Sequence, residues 1–159
     1  KNKIKRIRIK NNTNLLYITE PISEVARKMY KNCNYFNFNE KKVLDIFLKK
    51  SEDLFKKFNT IFIRVHPNEK KNKYLKIINK YKHLPIKLSS KSLSYDLSNC
   101  SKVIGVASNV LFLAVNNGNT VYSTVGKNNK IIIEFKFKYY PIYSNCGNVA
   151  LFRWTYGSL

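Results

Sequence analysis

The sequence predicts one α/β domain, a Rossmann-like parallel sheet with helices on both faces. Two observations point there. Short apolar runs of strand length alternate with segments of helical periodicity, the pattern of a parallel sheet covered by helices. The chain's 159 residues, 44% of them hydrophobic, also suit a single domain with a substantial core.

Residues 14–19 (NLLYIT) read as the first strand, ended by Glu20 and Pro21. Residues 37–58 form the clearest helix. Asn37 and Glu40, three apart, resemble a capping pair, and Val43, Leu44, Phe47, Leu48, Leu54, Phe55 and Phe58 recur on one face. Residues 60–65 (TIFIRV) are a second strand, stopped by His66 and Pro67, and Tyr74, Leu75, Ile78 and Tyr81 stripe a second helix. Residues 85–88 are a short third strand, and residues 92–99 make one or two helical turns with Leu93 and Leu97 on one face. A buried strand at 102–106, a helix at 108–117 with Gly118 as its stop, and a strand at 120–125 complete the alternation.

The ends are less regular. Ile7 and Ile9 alternate with Arg6, Arg8 and Lys10 as in an exposed edge strand, and residues 131–138 alternate as in a half-buried one. Beyond these patterns, residues 1–13 and 126–159 carry no firm assignment.

The net charge of +21 calls for a polyanionic partner: nucleic acid, a nucleotide phosphate or an acidic membrane surface. The basic residues include only Arg6, Arg8, Arg27, Arg64 and Arg153 as arginines, and Lys, Asn and Ile abound, as an AT-rich genome would also produce. Cys33, Cys100 and Cys146 are odd in number and widely spaced, which fits reduced intracellular thiols better than disulfides or a zinc site. Residues 1–10 lack the apolar core of a signal peptide, and the longest apolar run, 103–115, is too short to span a bilayer. A cytoplasmic protein, peripheral to the inner face of a membrane, is the expectation. The missing initial Met suggests a fragment.

In open parallel sheets, ligands bind beyond the carboxyl ends of the strands. Those ends here carry Thr19, Glu20, Ser23 and Glu24, then His66 to Glu69, then Ser89 and Ser90, then Ala107, Ser108 and Asn109. His66 has the chemistry to donate to a phosphate oxygen, on a turn fixed by Pro67. Ser108 stands where a strand feeds a helix, so its hydroxyl and the first-turn N–H groups suit an anion. Each also has a plainer reading, a turn histidine and a helix cap; their joint occurrence at strand ends favours the pincer. Asp96 reads as a solvent-facing or capping residue, Gly105 as a lone glycine without a dinucleotide fingerprint, and His83 as a loop residue without a role. Phe135, Phe137, Tyr139, Tyr140 and Tyr143 interleave with Lys136 and Lys138, a pattern able to stack single-stranded nucleic acid but read here as edge strand and core.

The runs IRVHPNE (63–69), LSYDL (93–97) and VIGVASNVLFLA (103–114) together resemble the C-terminal domain of GT-B glycosyltransferases. Among these they are most similar to bacterial sialyltransferases, with their His-Pro and later Ser-Ser or Ser-Thr motifs. The second motif here is Ala107-Ser108, one hydroxyl short of that pattern. The resemblance covers roughly residues 15–125. It implies a nucleotide-sugar donor such as CMP-sialic acid, no metal or other cofactor, His66 as the catalytic group and Ser108 as a phosphate contact. Asn109, Ser89, Ser90 and Glu20 complete the expected binding set. It further implies a bacterial surface glycan as acceptor, and an N-terminal acceptor domain for which this chain has no room. Alone, the chain is expected to bind nucleotide weakly and to catalyse nothing. A basic nucleic-acid-binding module and a non-catalytic scaffold are the competing readings.

Overall fold

A computed structural model describes residues 13–51, 58–106 and 108–124. Five strands form one sheet: β1 (Leu15–Ile18), β2 (Ile61–Arg64), β3 (Ile86–Leu88), β4 (Lys102–Gly105) and β5 (Thr120–Ser123). Between them lie α1 (Ile22–Tyr30), α2 (Glu40–Ser51), α3 (Leu75–Lys80), α4 (Leu93–Asn99) and α5 (Asn109–Asn117). The strand order is β3-β2-β1-β4-β5, and every pairing is parallel. The predicted Rossmann-like α/β fold is the observed one.

Alternation along β1 divides the core between two faces. Leu15 and Tyr17, with Ile61, Ile63 and Ile104, pack under Leu44, Phe47 and Leu48 of α2 and under Tyr74, Tyr81 and Leu84 around α3. Tyr17 stacks on Phe47 at 4.7 Å between ring centroids. Leu16 and Ile18, with Val103 and Val121, meet Leu97 of α4 and Leu111 and Ala114 of α5. Each such aliphatic side chain contributes roughly 1.5–3 kcal/mol on burial. A third cluster of Ile22, Val43 and Val106, flanked by Phe36 and Phe38, ties α1 and α2 to the carboxyl end of β4.

Two helices depart from the sequence expectation. The α2 cap is Asn39, whose Oδ1 accepts from the Lys42 N–H (2.9 Å), while Asn37 sits in the left-handed region at φ 61°. Glu40 makes no capping box; Ser23 draws it away. The helix α1 had no counterpart in the expected elements. Gly118 closes α5 as anticipated, at φ 93°. The expected strands near residues 7–9 and 131–137 and the aromatic cluster from Phe135 to Tyr143 lie outside the described residues.

Gly105 lets a helix approach the sheet closely. A Cβ there would lie 3.2 Å from Leu111 Cδ2 and 3.3 Å from the Ile18 carbonyl oxygen. Without it, the first turn of α5 could not seat this closely on the ends of β1 and β4.

Candidate functional site

The strand order reverses direction between β1 and β4, the point at which open α/β sheets offer a binding crevice beyond the strand carboxyl ends. Ile18 is in register with Arg64, and Tyr17 with Ile104, which puts Arg64, Ile18 and Gly105 at one level. The chain past that level carries His66 on the β2 side, Glu20 in the middle and Ser108 on the β4 side. His66 and Ser108 therefore follow strands two spacings apart, roughly 9–10 Å. A phosphate and its ester groups span such a gap.

The His66 turn is held from within. The Glu69 N–H donates to the His66 carbonyl (2.9 Å), with Pro67 at the second position of the turn. The Asn68 N–H donates to His66 Nδ1 (3.1 Å). A ring nitrogen that accepts carries no proton, so the neutral imidazole is the Nε2–H tautomer. The half-buried ring is thereby prepared as a donor.

The same turn is anchored from outside by a network the sequence did not disclose. Thr19 Oγ1 accepts from the His66 N–H (2.9 Å) and donates to Glu69 Oε2 (2.5 Å). Glu69, whose side chain is 0% exposed, accepts on its other oxygen from the Tyr74 hydroxyl (2.5 Å) and from Lys73 (2.7 Å). Lys73 Nζ also meets Glu24 (2.7 Å) and Glu40 (2.5 Å), and Glu40 accepts from the N–H and hydroxyl of Ser23 (both 2.9 Å). One ammonium thus joins the start of α1, the start of α2 and the His66 turn. Burial alone would lower the Lys73 pKa, but the three carboxylates raise it above the usual lysine range. Burial would likewise raise Glu40, and the bonds from Lys73 and Ser23 reverse this, leaving it below its ordinary value. Burial, then the bond to Glu69, pushes the Tyr74 hydroxyl far up, so it remains a neutral donor.

On the other flank Ser108 caps α5, its Oγ accepting from the Val110 N–H (3.3 Å). The hydroxyl keeps its own proton to donate; of the first-turn N–H groups, that of Val110 is taken by this cap and that of Leu111 by the Ser108 carbonyl (2.9 Å), which leaves the Asn109 N–H to face a ligand. Ser108 is half-buried and Asn109 exposed. Glu20, just past β1, is half-buried, and its charge adds to burial in raising the Tyr17 hydroxyl.

Ser89 and Ser90 line a separate cleft of about 360 Å³ at the ends of β2 and β3, with Arg64, Val65, Lys71, Leu88 and Lys91. Asp96 organises it from beneath. This residue, expected at the surface or as a cap, is instead 3% exposed. It accepts from Arg64 Nη1 (2.7 Å) and from the Ser89 hydroxyl (2.6 Å), because burial is tolerable once both partners arrive. Ser92, not Asp96, caps α4, accepting from the Tyr95 N–H (3.2 Å). Arg64 also donates to the Lys91 carbonyl (2.9 Å).

The predicted residues thus fall into two groups. His66, Glu20, and Ser108 with Asn109 follow the carboxyl ends of the adjacent strands β2, β1 and β4, and Ser89 and Ser90 follow β3 in the cleft that Arg64 also lines. Thr19, Glu24, Glu40, Glu69 and Lys73 were missed as a unit; only the Glu69–Lys73 spacing of four hinted at it. Cys33 and Cys100 are free thiols, and burial pushes Cys100 up to about 12.

No protein-family model matches this chain, and no curated protein does.

Proposed function

We propose that this domain binds the nucleotide-phosphate end of a glycosyl donor, as the donor half of a glycosyltransferase. One observation carries the reading. A histidine prepared as an Nε2–H donor and a serine-capped helix start follow the two strands that flank β1 at the sheet's reversal point. A phosphate in the crevice accepts from the imidazole on one side. On the other it accepts from the Ser108 hydroxyl and the Asn109 N–H, with the helix dipole favouring its charge.

The chemistry asked of these groups is modest. Glycosyl transfer leaves negative charge on the departing phosphate oxygen, and a hydrogen bond or proton from His66 stabilises it as the bond breaks. Activating the acceptor hydroxyl needs a general base, which this reading assigns to a separate domain. The Arg64–Ser89–Ser90 cleft takes the nucleoside end, its hydroxyls and Arg64 serving as polar contacts and Val65 and Leu88 as apolar walls. The resemblance to sialyltransferases favours a CMP-sugar.

The test is calorimetric titration of the folded chain with CMP, UMP and free sialic acid. CMP is expected to bind, UMP more weakly, and the phosphate-free sugar not detectably. Binding of UMP but not CMP would retain a nucleotide site and refute the CMP-sugar assignment. Indifference to all three would leave only a scaffold.

A further inference from the structure

The cleft at the ends of β2 and β3 holds two polar groups whose hydrogen-bonding roles are fixed before any ligand arrives. Asp96 accepts from Arg64 Nη1 (2.7 Å) and from the Ser89 hydroxyl (2.6 Å) on one and the same oxygen, Oδ2. A serine hydroxyl carries a single proton and an ionised carboxylate can only accept, so the Ser89 proton is committed to Asp96. Ser89 Oγ is left as an acceptor. Arg64 is the converse, a group that only donates. Its Nη1 already has two acceptors, Asp96 and the Lys91 carbonyl, and these fix the plane of the guanidinium. Its Nε and Nη2 donate to no group among the described residues. They reach solvent, because no buried side-chain nitrogen or oxygen among those residues lacks a partner. The shared oxygen keeps Ser89 Oγ and Arg64 side by side, and both residues line the cleft of about 360 Å³.

We propose that Ser89 and Arg64, held by Asp96, read the edge of a nucleobase that carries an amino group beside an unprotonated ring nitrogen, so that the cleft takes cytosine or adenine and rejects uracil. The inference rests on the reading that this cleft receives the nucleoside end. The amino group donates to Ser89 Oγ while the neighbouring ring nitrogen accepts from Arg64, whose planar fork suits a planar edge. Cytosine offers that pair in its exocyclic amine and N3, and adenine in its exocyclic amine and N1. Uracil presents the reverse, a carbonyl oxygen towards an acceptor and an N–H towards a donor, which leaves polar groups desolvated without partners. The Ser89 proton cannot turn to that carbonyl without giving up its bond to a carboxylate that is 3% exposed. Asp96 is thus a positioning residue. Ser90, Lys71 and Lys91, the rest of the polar lining, are exposed, and no hydrogen bond among the described residues fixes their side chains. They adjust to either kind of base and supply contact rather than choice.

Titration calorimetry of the whole chain with CMP, AMP, UMP and ribose 5-phosphate tests it. CMP and AMP are expected to bind about tenfold or more tighter than UMP, because a site built around a hydrogen-bonding group rejects the analogue that lacks it. Ser89→Ala should bring CMP and AMP down towards UMP, and Ser89→Thr, which keeps the hydroxyl, should retain most of the preference. Melting temperatures recorded in parallel establish that the variants are folded. Equal binding of CMP, AMP and UMP by the wild type overturns the proposal without any variant. So does ribose 5-phosphate that binds as tightly as CMP, and so does a preference that survives Ser89→Ala in a folded protein. The nucleotide-phosphate reading fails separately. Ribose 5-phosphate that binds the wild type and not His66→Ala, alongside equal affinities for the three nucleotides, would keep that reading and overturn only the base assignment. Cytidine that binds as tightly as CMP, and better than uridine, would do the opposite.

Discussion

His66 illustrates how much a short turn decides. Its Nδ1 is occupied by the Asn68 N–H two residues on, so the ring's proton state follows from local backbone rather than from a distant partner. Nitrogen-15 spectra of the neutral imidazole should show a protonated Nε2 and an accepting Nδ1 at this residue. The opposite tautomer would remove the donor from the crevice. The turn itself was readable, since a histidine and proline directly after a strand announce a stop. Asp96 was not. Its burial depends on Arg64, 32 positions away, and no local pattern around residue 96 records that partner.

At the scale of elements, Lys73 is the side chain that joins most. Three carboxylates face it, two of them buried, so Lys73→Met leaves Glu40 and Glu69 with their neutral hydrogen-bond donors but without a counter-charge. Loss of roughly 3–5 kcal/mol is expected in urea unfolding, in the range for breaking a buried ion pair. The pH dependence follows from the two shifts. Glu40 is depressed, so its contribution is complete above the usual carboxylate range, about pH 5, and is lost as acid protonates the folded form. Lys73 is raised, so its contribution is complete below the usual lysine value, about 10.4, and disappears only at higher pH. Wild-type stability should therefore hold between these limits and fall in acid, whereas Lys73→Met should lack the Glu40 part of that fall. Gly105→Ala tests a different joint. The new methyl must push against the Ile18 carbonyl, which is backbone, and against Leu111, so a loss of roughly 1–3 kcal/mol is expected. A neutral result in thermal melting would mean that α5 has room to retreat. The strands were readable because each is a short apolar run. The α2 cap moved from Asn37 to Asn39 because several asparagines compete there, and only backbone conformation chooses between them.

For the whole molecule, parallel pairing turns sequence order into spatial order. Alternating strands and helices implied the sheet, and the observed order β3-β2-β1-β4-β5 then places the ends of β2 and β4 on either side of β1. The crevice was legible to that extent, because the residues at each strand end follow directly from where the apolar runs stop. The cluster that braces it was not, since Thr19, Glu24, Glu40, Glu69 and Lys73 converge from across the first half of the chain. No helix among the described residues is long and apolar enough to cross a membrane.

The most direct measurement compares CMP affinity in the wild type, His66→Ala and Ser108→Ala by titration calorimetry, with melting temperatures recorded in parallel. A hydrogen bond to a charged phosphate is worth roughly 1.5–3 kcal/mol. Each substitution should therefore weaken CMP about ten- to a hundredfold while leaving the melting temperature nearly unchanged. Two variants that bind CMP as the wild type does, or that unfold with no separate binding defect, would contradict the phosphate site and reduce His66 and Ser108 to a turn residue and a helix cap.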